Sequence, residues 1–200
     1  MNRAFGLVLV PVAALALTAC GGGDKASGSM PGHSMSMSAA PAASAAHQHN
    51  DHDVMFAQGM IPHHEQAVAM AKLAASRASM PEVKELATTI EGAQDPEIKQ
   101  MKGWLTTWGA SMPSSDMHMG HDMGGGMMSA EEMKKLEGLS GKQFDKAFLT
   151  MMIKHHQGAL TMAQAEQANG MSAEAKKLAG NIVTSQSAEI AKMQSLLKKM

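Results

Sequence analysis

The chain repeats itself. Placing His63-His64 over His155-His156 fixes an offset of 92 residues, and identities then accumulate on both sides. Asp53 meets Asp145, Phe56 meets Phe148, Met60-Ile61 meets Met152-Ile153, and Ala67 meets Ala159. Met70-Ala71 meets Met162-Ala163, Leu86-Ala87 meets Leu178-Ala179, Gln94 meets Gln186, and Glu97-Ile98 meets Glu189-Ile190. The match runs on through Met101/Met193 to Leu105/Leu197, which defines units 53–105 and 145–197 joined by a linker over 106–144. A duplicated unit of this length is one supersecondary element used twice, so the two copies share whatever fold and chemistry they carry.

Each unit reads as a helical hairpin. At 100° per residue Phe56, Met60, His63, Ala67, Met70, Ala71 and Ala74 share one face. Residues 77–80 break that run, and Pro81 suits the first turn of a second helix. There Val83, Leu86, Ala87, Ile90, Gln94, Glu97, Ile98, Met101 and Leu105 fall on one side. The second unit repeats the pattern, with Ser140-x-x-Gln143 as a candidate capping box and Ser172 as the later N-cap. Pro96, whose counterpart is Ala188, is expected to kink the second helix near Asp95. Each helix has one apolar stripe to cover, so two hairpins predict an all-α four-helix bundle over 51–200. The linker is Met/His-rich and long, and Ser129-x-x-Glu132 predicts a short helix near its end.

The start of the chain reads as an address. Arg3 and an apolar run from Ala4 to Ala16 precede Leu17-Thr18-Ala19-Cys20. The run is too short to span a bilayer and ends in small residues, as a signal peptide does. Residues 1–19 are thus expected to be a lipoprotein signal peptide, since the last four residues resemble a lipobox and Cys20 is the only cysteine. Lipidation there would place the protein outside the cytoplasm, anchored to a membrane. Residues 20–50, rich in Ser, Ala, Gly and Pro, bury too little apolar surface to offset chain entropy and read as a disordered tether.

Composition narrows the chemistry. A formal charge of −1 gives no support for nucleic-acid binding. A single cysteine excludes an intramolecular disulfide framework and thiolate clusters. No Gly-rich nucleotide loop and no GxSxG elbow occurs. Methionine, by contrast, occurs 22 times and histidine 10 times. Thioether sulfur is soft and uncharged, so Met with imidazole favours Cu(I) or Ag(I) over Zn²⁺ or Mg²⁺.

The candidate ligands fall into three groups. In the first unit Met60, His63 and His64 flank the core stripe, with Met70 beside His63 and Met101 on the partner helix. In the second unit the same set is Met152, His155, His156, Met162 and Met193. The linker supplies Met117, His118, Met119, His121 and Met123 among flexible glycines. Gln94 and Glu97, with Gln186 and Glu189, read as partners that orient the histidines. A carboxylate–His di-metal site is the competing use of such a fold, although the Glu-x-x-His motif is missing.

The two stretches DVMFAQGMIPHHEQAVAMA and DKAFLTMMIKHHQGALTMA are each followed by IxxxQxxEIxxM. Together they resemble the domain of unknown function 305 family over about residues 51–198. The resemblance implies a ferritin-like four-helix bundle, often exported, with CopM-like members that bind Cu(I) or Ag(I) and support copper resistance. It also carries the ligand role onto His63, His64, His155, His156 and the methionines beside them.

The expectation is therefore a lipid-anchored, extracytoplasmic protein that sequesters, buffers or transfers Cu(I) without a catalytic step. Its partners would be the copper ion, the membrane through Cys20 and an unidentified metal-transfer protein. Two other readings stay open: a ferritin-like di-metal redox enzyme and a structural surface lipoprotein.

Overall fold

A computed structural model describes residues 48–113 and 125–200. Cys20, most of the tether, and Met117, His118, Met119, His121 and Met123 lie outside the described residues. All regular structure within them is helical: α1 (Asp51–Arg77), α2 (Pro81–Trp108), α3 (Ala130–Gly138), α4 (Gly141–Asn169) and α5 (Ala173–Leu197). No helix among these residues is long and apolar enough to cross a membrane.

The helix ends follow local chemistry. Asn50 opens α1 by accepting from the His52 and Asp53 amides, and the Asp53 carboxylate accepts from the Asn50 amide, a complete capping box. Pro81 stands in the first turn of α2, and Gly109 ends that helix in the left-handed region at φ 67°. The short helix α3 begins at Ser129 with the box to Glu132. Ser172 caps α5 through its hydroxyl, which accepts from the Ala175 amide. Ser140 differs from the sequence expectation: it precedes α4 but makes no side-chain cap bond. The extended backbone at Ser140 runs into Gly141 at φ 62°, and the hydroxyl goes unused. Pro96 and Pro62 both lie inside helices that run on through them.

α1 packs along α2, α4 packs along α5, and α1 also packs along α4; α2 and α5 scarcely meet. Among the described helices the α1/α4 pair is therefore central, with α2 beside α1 and α5 beside α4. Asp53, at the start of α1, bonds residues just past the end of α4, and Asp145, near the start of α4, bonds residues just past the end of α1. These contacts make α1 and α4 antiparallel.

Two apolar clusters form along that axis. One gathers Met70 and Ala74 of α1, Leu86 of α2, Phe144, Phe148 and Met152 of α4 and Met193 of α5. The other gathers Phe56, Met60 and Ile61 of α1, Met101 and Leu105 of α2, Ala163 of α4 and Ile182 of α5. The histidines lie on α1 and α4 where one cluster gives way to the other.

Candidate metal centre

Adjacent histidines on one helix point about 100° apart, so each pair serves two directions. His63 and His155 turn toward each other across the α1/α4 contact, with ring centroids 3.7 Å apart and planes tilted by 38°. His64 and His156 turn outward to the flanking helices. His64 Nε2 lies 2.7 Å from Glu97 Oε2 on α2, and His156 Nε2 lies 2.6 Å from Glu189 Oε2 on α5. All four imidazoles are essentially sealed from solvent, at 0–1 % exposure.

A carboxylate facing Nε2 engages that nitrogen and leaves Nδ1 as the one each ring has to offer elsewhere. Nδ1 of His64 and of His156 finds no hydrogen-bond partner, and neither nitrogen of His63 or His155 finds one. Six imidazole nitrogens are thus buried without a partner. Each such group costs about 1–3 kcal/mol if nothing binds it. Gln94 and Gln186 are buried as well, with their Oε1 atoms unpartnered.

Burial, followed by the nearby His64 and His156, lowers the His63 pKa to about 3. Burial also pushes His155 well below its ordinary value, followed by its neighbours His63, His156 and His64, against a smaller opposing pull from the His63 backbone. Both rings are therefore neutral at any physiological pH, the form that donates a lone pair to a metal.

The methionines divide around this layer. Met60 and Met152 are wholly buried one turn before His63 and His155. Met70 and Met193 pack into one apolar cluster, Met101 packs into the other, and Met162 lies half-buried against the latter. Met112 is exposed beyond α2. Among the described residues no three His, Cys, Asp or Glu side chains gather as a metal-holding set. The inward carboxylates are engaged elsewhere: Glu97 and Glu189 hold imidazoles, while Asp53 and Asp145 hold turns. The donors that converge are imidazoles on facing helices with thioethers nearby, a set suited to a soft ion of low coordination number.

The two aspartates were legible as inward-facing repeat positions, but not as what they are. The Asp145 carboxylate accepts from the amides of Ser79 (3.0 Å) and Met80 (3.1 Å) and from the Ser79 hydroxyl. The Asp53 carboxylate accepts from the amides of Met171 (3.0 Å) and Ser172 (2.8 Å). Each hairpin's turn is thus held by the other hairpin. Burial would raise the Asp53 pKa, but the Asn50, Met171 and Ser172 amides and a hydrogen bond from Glu166 outweigh it and hold it below the usual range.

Glu166 gives no sequence signal, since its repeat counterpart is Ala74. Burial first, then its hydrogen bond to Asp53 and that residue's charge, raise its pKa to about 8 against a smaller opposing pull from Lys176. The Glu166 carboxyl is therefore the protonated partner, donating to Asp53.

The chain is similar to known proteins of one family. The model of a domain of unknown function, DUF305, matches residues 53–197. Among solved structures, a DUF305 protein of Streptomyces coelicolor, named as a candidate secreted protein, is 37% identical with a TM-score of 0.68. That alignment covers 74% of this chain and 93% of the other. CopM in its Cu(II)-bound form is 37% identical over 74% of this chain and 96% of its own, with a TM-score of 0.65. CopM has also been solved with Cu(I) and with Ag bound, at 34% and 33% identity. A curated relative, the uncharacterized protein L153 of Acanthamoeba polyphaga mimivirus, is 42% identical over 53 residues, 26% of this chain and 35% of its own length.

Proposed function

The chain belongs to the DUF305 family, and on that premise we propose that it is an extracytoplasmic copper-binding protein. It sequesters, buffers or passes on Cu(I), accepts Ag(I) as an equivalent soft ion, and performs no catalytic step. The paired hairpins serve as a four-helix bundle of the ferritin-like kind.

One observation carries the reading: six buried imidazole nitrogens have no partner, and they lie on two facing helices. In a core meant only to pack, that arrangement is a standing penalty. In a metal protein it is a set of ligands waiting for an ion. His64 and His156 add the second feature of such sites, a carboxylate that fixes the ring by its other nitrogen. Relatives of the CopM type, solved with Cu(I), Cu(II) and Ag, support the choice of metal.

His63 and His155 would hold the ion, with His64, His156, Met60 and Met152 completing or exchanging its coordination as it enters and leaves. The Met/His-rich segment around Met117–Met123 and the tether would capture ions for that layer. Cys20 would carry the lipid anchor, which keeps the protein at the membrane outside the cytoplasm, where thioether is the durable sulfur ligand.

The test is an anaerobic Cu(I) titration of residues 21–200 against a chromophoric chelator. Retention of Cu(I), weakened in a His63→Ala/His155→Ala variant with the residual capture by the linker intact, is the expected result. Failure of the unsubstituted protein to compete overturns the copper reading.

A further inference from the structure

A glycine inside a helix costs about 1 kcal/mol against alanine, so Gly158, buried midway along α4, calls for a reason. The reason is the chain that returns from the linker. A Cβ at Gly158 would stand 1.6 Å from the Gly125 carbonyl oxygen and 3.2 Å from His63 Nε2. The backbone of the connection is therefore pressed onto α4 directly beside an unpartnered nitrogen of the histidine layer. The next residue, Gly126, has φ 113°, and a Cβ there would meet the Lys154 carbonyl at 2.6 Å.

The repeat shows how this segment is held. Gln66 occupies on α1 the position that Gly158 occupies on α4. Its side-chain amide pairs with the backbone of Met128: Nε2 donates to the Met128 carbonyl (2.9 Å), and the Met128 amide donates to Oε1 (2.7 Å). Met128 itself is buried in one of the two apolar clusters. The two equivalent positions thus seat the same four residues by opposite means, one with no side chain and the other with a long one.

We propose that residues Gly125–Met128 form a clasp over His63 that sets how fast small reagents and soft ions reach and leave that histidine, with Gln66 and Gly158 as its positioning residues. The statement about ions rests on the copper reading above; the statement about access does not.

Carbethoxylation by diethyl pyrocarbonate, which attacks neutral imidazole nitrogen, reads access directly. Mapped by tandem mass spectrometry on the full chain, it gives the ratio of His63 to His155 modification, with His155 as the internal reference. Loss of the two Gln66 bonds in Gln66→Ala is expected to speed modification of His63 by about tenfold while His155 changes by less than about twofold. Gly158→Ala, which must displace the Gly125 carbonyl, is expected to shift the ratio the same way. An unchanged ratio in both variants, or parallel acceleration of both histidines, overturns the clasp.

Withdrawal of Ag(I) from the loaded protein by a chelator is expected to quicken in Gln66→Ala with the same competition end point. Withdrawal at the unsubstituted rate would confine the clasp to small reagents and overturn its role in ion exchange. If the unsubstituted protein takes up no Ag(I) yet the modification ratio shifts, the clasp stands and the copper reading falls.

Discussion

The two ends of the α1/α4 pair use the same residue for the same task in different company. Asp145 holds the α1–α2 turn alone, with Ala74 at the position that would face it. Asp53 holds the α4–α5 turn and shares a proton with Glu166, whose side chain folds so closely over Gly170 that a Cβ there would lie 2.1 Å from Oε1. One lock stands alone; the other has a titratable neighbour. Positions that match across the repeat thus maintain the architecture, while positions that differ give each end its own response.

The largest effect should come from removing a lock outright. Asp145→Ala leaves the Ser79 and Met80 amides without their acceptor and is expected to cost about 3 kcal/mol in urea unfolding. Asp53→Ala takes the acceptor from the Asn50, Met171 and Ser172 amides and from the protonated Glu166, and is expected to cost more, about 4 kcal/mol. Equal losses, or a larger one at Asp145, would break the comparison.

Next in size is the histidine layer, where the two halves should behave alike. His63→Leu and His155→Leu each remove two unpartnered nitrogens and are expected to raise metal-free stability by about 1–2 kcal/mol while weakening Cu(I) retention. Their pH dependence follows from the depressed folded pKa values. Between about 3 and the unfolded value near 6.5 the unfolded state binds more protons than the native state. Stability therefore falls on acidification through that window, and each leucine variant should flatten the slope.

Glu166 contributes with the opposite sign. Its folded pKa of about 8 exceeds the ordinary value of 4.5, so the native state binds the extra proton between them and stability falls as pH rises. Glu166→Gln, which donates to Asp53 at every pH, is expected to abolish that decline in a thermal unfolding series from pH 5 to about 9. A decline that survives the substitution would assign it to another group.

The smallest contrast lies at the helix starts of the second hairpin. Ser172→Ala should cost about 1 kcal/mol for a lost cap, while Ser140→Ala, whose hydroxyl caps nothing, should leave unfolding unchanged. The sequence marks both serines as N-caps, because a Ser three residues before Gln or ahead of an apolar run looks the same whether or not its hydroxyl reaches an amide.

Much of the molecule follows from the sequence alone, for a definite physical reason. A helix with 3.6 residues per turn writes its buried face into local periodicity. The hairpins, the inward direction of both histidine pairs, the α3 capping box and the bonds from Glu97 and Glu189 to imidazole were accessible that way. Periodicity says which side of a helix is covered; it does not say by what. That His63 meets His155 rather than α2, that Asp53 and Asp145 reach across to the opposite hairpin, and that Glu166 lies against Asp53 are matters of which apolar faces join. The placing of Gly125 on Gly158 is of the same kind. Those contacts connect residues far apart in the chain, so the burial of α1 against α4 decided them and no local pattern encodes them.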